Sequence, residues 1–421
     1  MNNDAIVVTG IGVITGLGRG CETNFHRLCA GQSGVKTIDR FETKGLPTRF
    51  AACFDDLPRE MPPVERTWQM ARAVADEALA AAKPAESWNK SAQLFSAVSP
   101  IEVDWGIRLS VRRAAEEAGW PVGVDSDAEA GRRAFSKHMS LFYPGNYVLD
   151  KLCKQYELSR HPIATNTACA SGATAIQLAK EALDLGLIDT ALVIGTDSTI
   201  WPEGLVRFSL LSALSTRNED PQRASRPFCS DRDGFVMGEG AGALVLERAR
   251  SARARGAAIL ACIHGCGDAS DNFHRTRSNP DGSTIVLSMK KAIDDAGLCP
   301  ADVDYINAHG TSTPENDKME ATGINLLFGD HARRLLVSSN KSMIGHTLTA
   351  CGTIESIFTV MALQRRVVPP TINYDRPDPE IDLDVVPNVS RASAINYALS
   401  NSFGFGGQNV SLVFGSAETA E

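Results

Sequence analysis

The 421-residue chain has no apolar run of membrane-spanning length; Gly, Ser or charge interrupts every stretch well short of about 18 residues. It begins Met1-Asn2-Asn3-Asp4, without the positive start and longer apolar segment of a secretory signal, so none is expected. It also lacks a C-x-x-C pair and any Cys/His ligand cluster. The ten cysteines are scattered, the nearest two being Cys262 and Cys266. That pattern argues against a disulfide scaffold and a structural zinc site, so a reducing cytoplasm and no metal or bound cofactor are expected. Basic charge is short as well. Lys and Arg number 42 against 50 Asp and Glu, a formal net charge of −8 and the wrong sign for a general nucleic-acid binder. An acidic protein partner would need a local basic patch. Arg66 with Arg72, Arg112-Arg113, Arg132-Arg133 with Lys137, and Arg275 with Arg277 offer candidates; the plain alternative for each is a solvated surface.

What is present is a soluble-protein composition, 43% hydrophobic and 22% charged, in a chain long enough for a large core. Short apolar runs at Ile6–Val8, Ala191–Ile194, Ala243–Leu246, Val303–Ile306, Leu335–Ser338 and Val410–Phe414 alternate with helical patterns. Runs that are apolar without alternation are strands covered on both faces, which points to an α/β fold with helices on either side of its sheets. Two segments share a plan. Ile163–Thr165 reads as a strand followed by Cys169 and a helix from about Ala170 to Leu185, apolar all round and stopped by Gly186. Leu335–Ser338 leads through Lys341 to a helix starting near His346. This suggests an internal duplication, with halves 1–255 and 256–421 joined near Arg250–Ala258, where the basic stretch Arg248–Arg255 reads as an exposed helix end and turn.

Four places could carry chemistry. Cys169, in Thr167-Ala168-Cys169-Ala170-Ser171-Gly172, faces the positive end of a helix, where a thiolate is favoured and sulfur is nucleophilic. The alternative is a buried structural cysteine. His309, in Asn307-Ala308-His309-Gly310-Thr311-Ser312-Thr313-Pro314, follows a strand end, where α/β proteins meet ligands. A satisfied loop histidine is its bland reading. His346, in Lys341-Ser342-Met343-Ile344-Gly345-His346, is placed near a helix N-terminus, which disfavours imidazolium and leaves a neutral hydrogen-bond donor. The loop Asn401-Ser402-Phe403-Gly404-Phe405-Gly406-Gly407-Gln408-Asn409 has no P-loop lysine. Its glycines let backbone N–H groups approach a ligand as in an oxyanion hole, or simply form a turn.

These motifs, with Arg232-Asp233-Gly234-Phe235-Val236-Met237-Gly238-Glu239-Gly240-Ala241-Gly242 and Val337-Ser338-Ser339-Asn340 ahead of Lys341, closely resemble the elongating β-ketoacyl-acyl carrier protein synthases. That family includes synthase II and the polyketide ketosynthases. The likeness runs from about Ile6 to Phe414. It implies a thiolase-like fold of two related halves in αβαβα layers, paired as a homodimer, with a heterodimer as the alternative. It implies that Cys169 takes an acyl group from a carrier's phosphopantetheine arm, that His309 and His346 promote decarboxylation of malonyl-carrier, and that Phe405 helps form an oxyanion hole and gates the site. Lys341, Asp317 and Glu320 would support them, while Thr276, Thr311, Thr313, Phe403 and Ile101 would meet substrate. Two departures stand out. The acyl-pocket segment reads Ala97-Val98-Ser99-Pro100-Ile101-Glu102-Val103-Asp104-Trp105, and a carrier-docking arginine is replaced by Ser212. Arg132, Arg133 and Arg66 are the remaining candidates for docking an anionic carrier. Other expectations in competition are a structural partner subunit and a coenzyme A-dependent thiolase-like acyltransferase.

Overall fold

The computed structural model describes residues 4–99, 109, 113, 116, 144–277 and 279–420. Its first array of strands is β1 (Ile6–Thr15), β2 (Gln93–Val98), β3 (Ile163–Thr165), β4 (Thr190–Asp197) and β5 (Gly240–Arg248). The second is β6 (Ala261–Ser270), β7 (Tyr305–Asn307), β8 (Leu336–Ser338), β9 (Tyr397–Phe403) and β10 (Gln408–Ser416). The first array lies in the order β3-β2-β4-β5-β1 and the second in the order β8-β7-β9-β10-β6. Strand directions match too. β2 is parallel to β3 and β4, and β5 is antiparallel to β4 and β1; β7, β8, β9, β10 and β6 repeat this pattern. The arrays meet where β1 and β6 pair antiparallel through Ile6–Ile263, Val7–Cys262 and Val8–Ala261. Every residue of β1, β4 and β5 is buried, as unalternated apolar strands should be.

Helices complete the layers. α1 (Pro63–Ala82) covers the outside of the first array and α3 (Ser283–Asp295) the outside of the second. Between the arrays lie α2 (Ser171–Asp184) and α5 (Cys351–Arg365), packed on each other and on strands; α4 (Pro314–Phe328) flanks α3. All of Cys351–Leu363 is buried, because α5 has a sheet or a helix on every side. Side chains such as Ile354, Ile357 and Phe358 lie in this core and contribute about 1.5–3 kcal/mol each by burial. Gly186 stops α2 at φ +69°, with its N–H and that of Leu187 donating to Leu183 and Ala182. Among the described residues no helix is long and apolar enough to cross a membrane.

Two local expectations need correction. The second central helix does not start near His346. A short helix, Lys341–Ile344, and a 3₁₀ turn, Leu348–Ala350, come first, and α5 begins at Cys351. The stretch Arg248–Arg255 is not simply exposed. Arg248 is buried and its guanidinium donates to Leu183 O, Ile188 O and Asp189, tying the end of β5 to the end of α2.

α2 and α5 can approach so closely because each carries a glycine at the crossing. A Cβ on Gly172 would lie 2.6 Å from Thr353 N, and one on Gly352 would lie 2.3 Å from Ala173 N. Gly352→Ala therefore forces the central helices apart. The expected cost is about 1–3 kcal/mol of stability, read as a lower urea midpoint. An unchanged midpoint would contradict the close crossing.

Candidate active site

Cys169 stands on a sharp turn between β3 and α2. Ala168 takes φ +49°, a left-handed conformation that a non-glycine residue keeps only when its surroundings hold it. Ser171 does so, its hydroxyl donating to Ala168 O at 2.6 Å and accepting from Thr167 N–H at 2.9 Å. Thr174 Oγ1 donates to Ala170 O at 3.1 Å. The turn delivers the sulfur to the floor of a cavity, where Cys169 is 8% exposed. Here the sequence-based expectation of a resting thiolate fails. Burial pushes the Cys169 thiol up to about 11, opposed only in part by the Lys341 ammonium and the Phe405 amide. Desolvation outweighs the helix end, ahead of which Cys169 lies in the 3₁₀ turn Ala168–Ala170.

The second half supplies the imidazoles. His346 Nε2 is 3.1 Å from Cys169 Sγ, and its Nδ1 accepts from Leu348 N–H at 3.3 Å. An Nδ1 that accepts leaves the ring proton on Nε2, so His346 presents a donor to the sulfur. His309, on the loop after β7, is oriented from the same side: its Nδ1 lies 3.4 Å from Lys341 Nζ. Since an ammonium can only donate, the proton of His309 is also on Nε2. The two rings meet edge to face with centroids 5.3 Å apart. Phe235 packs against His346 at 5.4 Å and Phe403 against His309 at 5.5 Å. Burial, then the Lys341 charge, holds both imidazoles well below their ordinary pKa, with the His346 ring lowering that of His309 further. Both are neutral at pH 7. The cause is burial beside a cation rather than a helix N-terminus, since α5 starts only at Cys351.

The supporting residues divide into two groups. Glu320 accepts from the N–H groups of His309 and Gly310, both at 2.8 Å, and from Asn401 Nδ2 at 3.1 Å. Asp317 accepts from Ser312 and Phe228 N–H at 3.2 and 2.8 Å and faces Arg232 at 3.8 Å. These carboxylates hold the His309 loop and do not line the cavity. Lys341 instead pairs with Glu355 on α5, a contact that the motifs did not reveal. A single carboxylate in a helix otherwise buried among apolar residues was the available signal. His309, Cys351 and Glu355 also form a trio of metal-type donors, their ligand atoms within 4.8 Å of one another. The Lys341 ammonium, bonded to Glu355 and beside His309, already supplies the cation there.

Thr276, Thr311, Thr313, Phe403 and Phe405 all line the cavity with Cys169, His309 and His346, as does Ser212 at its mouth. The Phe405 N–H is directed at Cys169 Sγ. Its loop passes close because a Cβ on Gly404 would sit 2.6 Å from Thr167 O. Ile101, the acidic pair Glu102 and Asp104, Arg112, Arg132, Arg133 and Lys137 lie outside the described residues. Arg66 is no landing site for a partner. It is fully buried, its guanidinium bonded to Glu239 at 3.0 Å and to Phe54 O at 2.7 Å. Arg72, Arg275 and Arg277 are exposed, and Arg277 stands at the cavity rim.

The second half repeats the Cys169 turn. Leu348 takes φ +48°, the turn Leu348–Ala350 mirrors Ala168–Ala170, and α5 follows as α2 does. Thr349 is thus the counterpart of Cys169. Its hydroxyl donates to buried Asp197 at 2.8 Å.

Comparison with known proteins agrees with this arrangement. The family profile described as Beta-ketoacyl synthase, N-terminal domain, matches residues 3–252, and Beta-ketoacyl synthase, C-terminal domain, matches residues 260–375. The 3-oxoacyl-[acyl-carrier-protein] synthase 2 of Coxiella burnetii is 38% identical over 98% of this chain and 99% of its own length. Its namesake from Synechocystis is 38% identical over 97% of each. Among solved structures, a beta-ketoacyl synthase from Burkholderia phymatum superposes with a TM-score of 0.84 at 33% identity, covering 98% of this chain and 100% of that one. A ketosynthase structure with its type II polyketide acyl-carrier protein gives a TM-score of 0.86 at 30% identity, covering 98% and 99%. With the repeated strand order, the cysteine turn and the paired imidazoles, these matches establish that the chain belongs to the beta-ketoacyl synthase family.

Proposed function

We propose that the protein is an elongating 3-oxoacyl-[acyl-carrier-protein] synthase, acting in fatty-acid or specialised polyketide or polyene synthesis. One observation carries the reading: two neutral imidazoles, each with its proton on Nε2, share a cavity with Cys169, and His346 Nε2 lies 3.1 Å from the sulfur. In the first step the Cys169 sulfur attacks the thioester carbonyl of an acyl-carrier. A new S–C bond forms, the carbonyl's bond to the carrier sulfur breaks, the proton lost from the Cys169 thiol ends on that sulfur as the carrier thiol leaves, and the Phe405 N–H, with that of Cys169, meets the transient oxyanion. Malonyl-carrier then enters. Its bond to the carboxylate breaks, carbon dioxide departs, and the electron pair passes to the thioester oxygen as an enolate. Nε2–H groups on His309 and His346 stabilise that oxygen; a charged imidazolium is not needed for this. The enolate carbon attacks acyl-Cys169, and the cysteine leaves as a thiolate stabilised by His346 and the Lys341 field.

The phosphopantetheine arrives on the carrier, so the reaction calls for no resident cofactor or metal. Thr276, Thr311 and Thr313 supply hydroxyls along the approach to Cys169. A homodimer is the assembly proposed, in the cytoplasm.

Radiolabelled acyl transfer tests the assignment. Wild type becomes labelled and Cys169→Ala does not; a Cys169→Ala variant that still condenses would refute the assignment. His309→Ala and His346→Ala retain acylation but lose about 10²–10³ of decarboxylative condensation, the usual effect of removing an oxyanion donor.

A pH series tests the resting state of the sulfur. With the thiol pushed up to about 11, the thiolate fraction and hence alkylation of Cys169 by iodoacetamide rise about tenfold per pH unit between 7 and 9. A rate already level at pH 7 would mean that the thiolate is formed at rest. Burial beside Lys341 holds both imidazoles well below the ordinary histidine range, so carbon dioxide release stays level as the pH falls from 7.5 to 6.5; a loss over that interval would mean that a ring gains a proton there.

A further inference from the structure

The first residue of each central helix braces a turn, but the two do so differently. Ser171 opens α2 and holds its own turn through Ala168 O. Cys351 opens α5 at the equivalent position, and its thiol reaches across to the other half, donating to Cys169 O at 3.0 Å. The second half therefore grips residue 169 twice, His346 at the sulfur and Cys351 at the carbonyl. Cys351 is fully buried and does not line the cavity, so it has no access to substrate. Burial and the neighbouring Glu355 carboxylate raise its pKa well above 9.0. It remains a thiol, and a thiol can donate.

We propose that Cys351 is a positioning residue for the acylation step: by pinning the carbonyl of the nucleophile's own residue, its thiol fixes the direction from which the Cys169 sulfur and amide N–H meet the thioester. The inference rests on the ketosynthase reading of the site. Hydrogen bonds from Ser171 and Thr174 end on Ala168 and Ala170, the residues either side. The Cys351 bond ends on residue 169 itself, next to a left-handed residue whose conformation costs energy and must be held from outside. Decarboxylation of malonyl-carrier makes a different demand. It uses the two imidazoles, whose orientation comes from Leu348 N–H and Lys341.

The test measures both half-reactions in Cys351→Ala and Cys351→Ser: single-turnover acylation of Cys169 from acyl-carrier, and carbon dioxide release from malonyl-carrier. Cys351→Ala is expected to slow acylation about five- to tenfold, the scale of one neutral hydrogen bond, with carbon dioxide release within about twofold of wild type. Cys351→Ser keeps a donor and is expected to recover acylation to within about twofold. Equal loss in both half-reactions would show a general packing role and overturn the proposal, as would a serine variant no better than the alanine one. A wild type that neither acylates nor releases carbon dioxide overturns the ketosynthase reading itself.

Discussion

The site depends on one buried cation. Lys341 is 1% exposed, paired with Glu355, and sits where it can act on both imidazoles and the sulfur. Removing one partner from such a pair typically costs about 3–5 kcal/mol, because a charge is left alone in a poor solvent. The return is electrostatic. A fixed positive charge keeps His309 and His346 from gaining protons and favours negative charge on Cys169. It also acts from behind, leaving the Nε2 edges free. Burial lifts Glu355 to about 7 against the pull of Lys341, and the carboxylate beside Lys341 raises the lysine in turn, so the ammonium stays charged.

That cation is useful only because the backbone is rigid around it. Glu355 belongs to α5, Lys341 to the short helix ahead of it, and His309 to the loop fastened by Glu320. The closely crossed α2 and α5 hold this group against the Cys169 turn. Orientation also comes from backbone donors, such as Leu348 N–H at His346, which leave little freedom to choose another tautomer. Catalytic geometry here follows from packing between the halves as much as from the side chains that face substrate.

Much of this was readable in the amino-acid order. Unalternated runs such as Ala191–Ile194 identify buried strands, and the Cys169, His309, His346 and Phe405 motifs converge on one cavity. The misses have physical causes. A turn of 3₁₀ helix before α5 has no distinctive pattern, so the sequence puts the helix start five residues early. The cysteine's position at a helix start suggested an anion, but local sequence does not report desolvation. Arg66 looked like a surface charge, whereas its partner Glu239 is 173 residues away in the chain. Glu355 and Cys351 carry no local signature of their partners for the same reason: their importance lies in contacts across the fold.

The twin turns at Ala168 and Leu348 have a further consequence. A repeated architecture offers two symmetric stations for a reactive group, yet only one holds a thiol at the cavity; the other holds Thr349, committed to Asp197. The spare station has become scaffolding, while its surroundings furnish the rings that serve the armed one. Such specialisation is hard to reverse. Neither repeat retains a complete set of reactive groups, so separating them would leave a nucleophile without its donors and donors without a nucleophile.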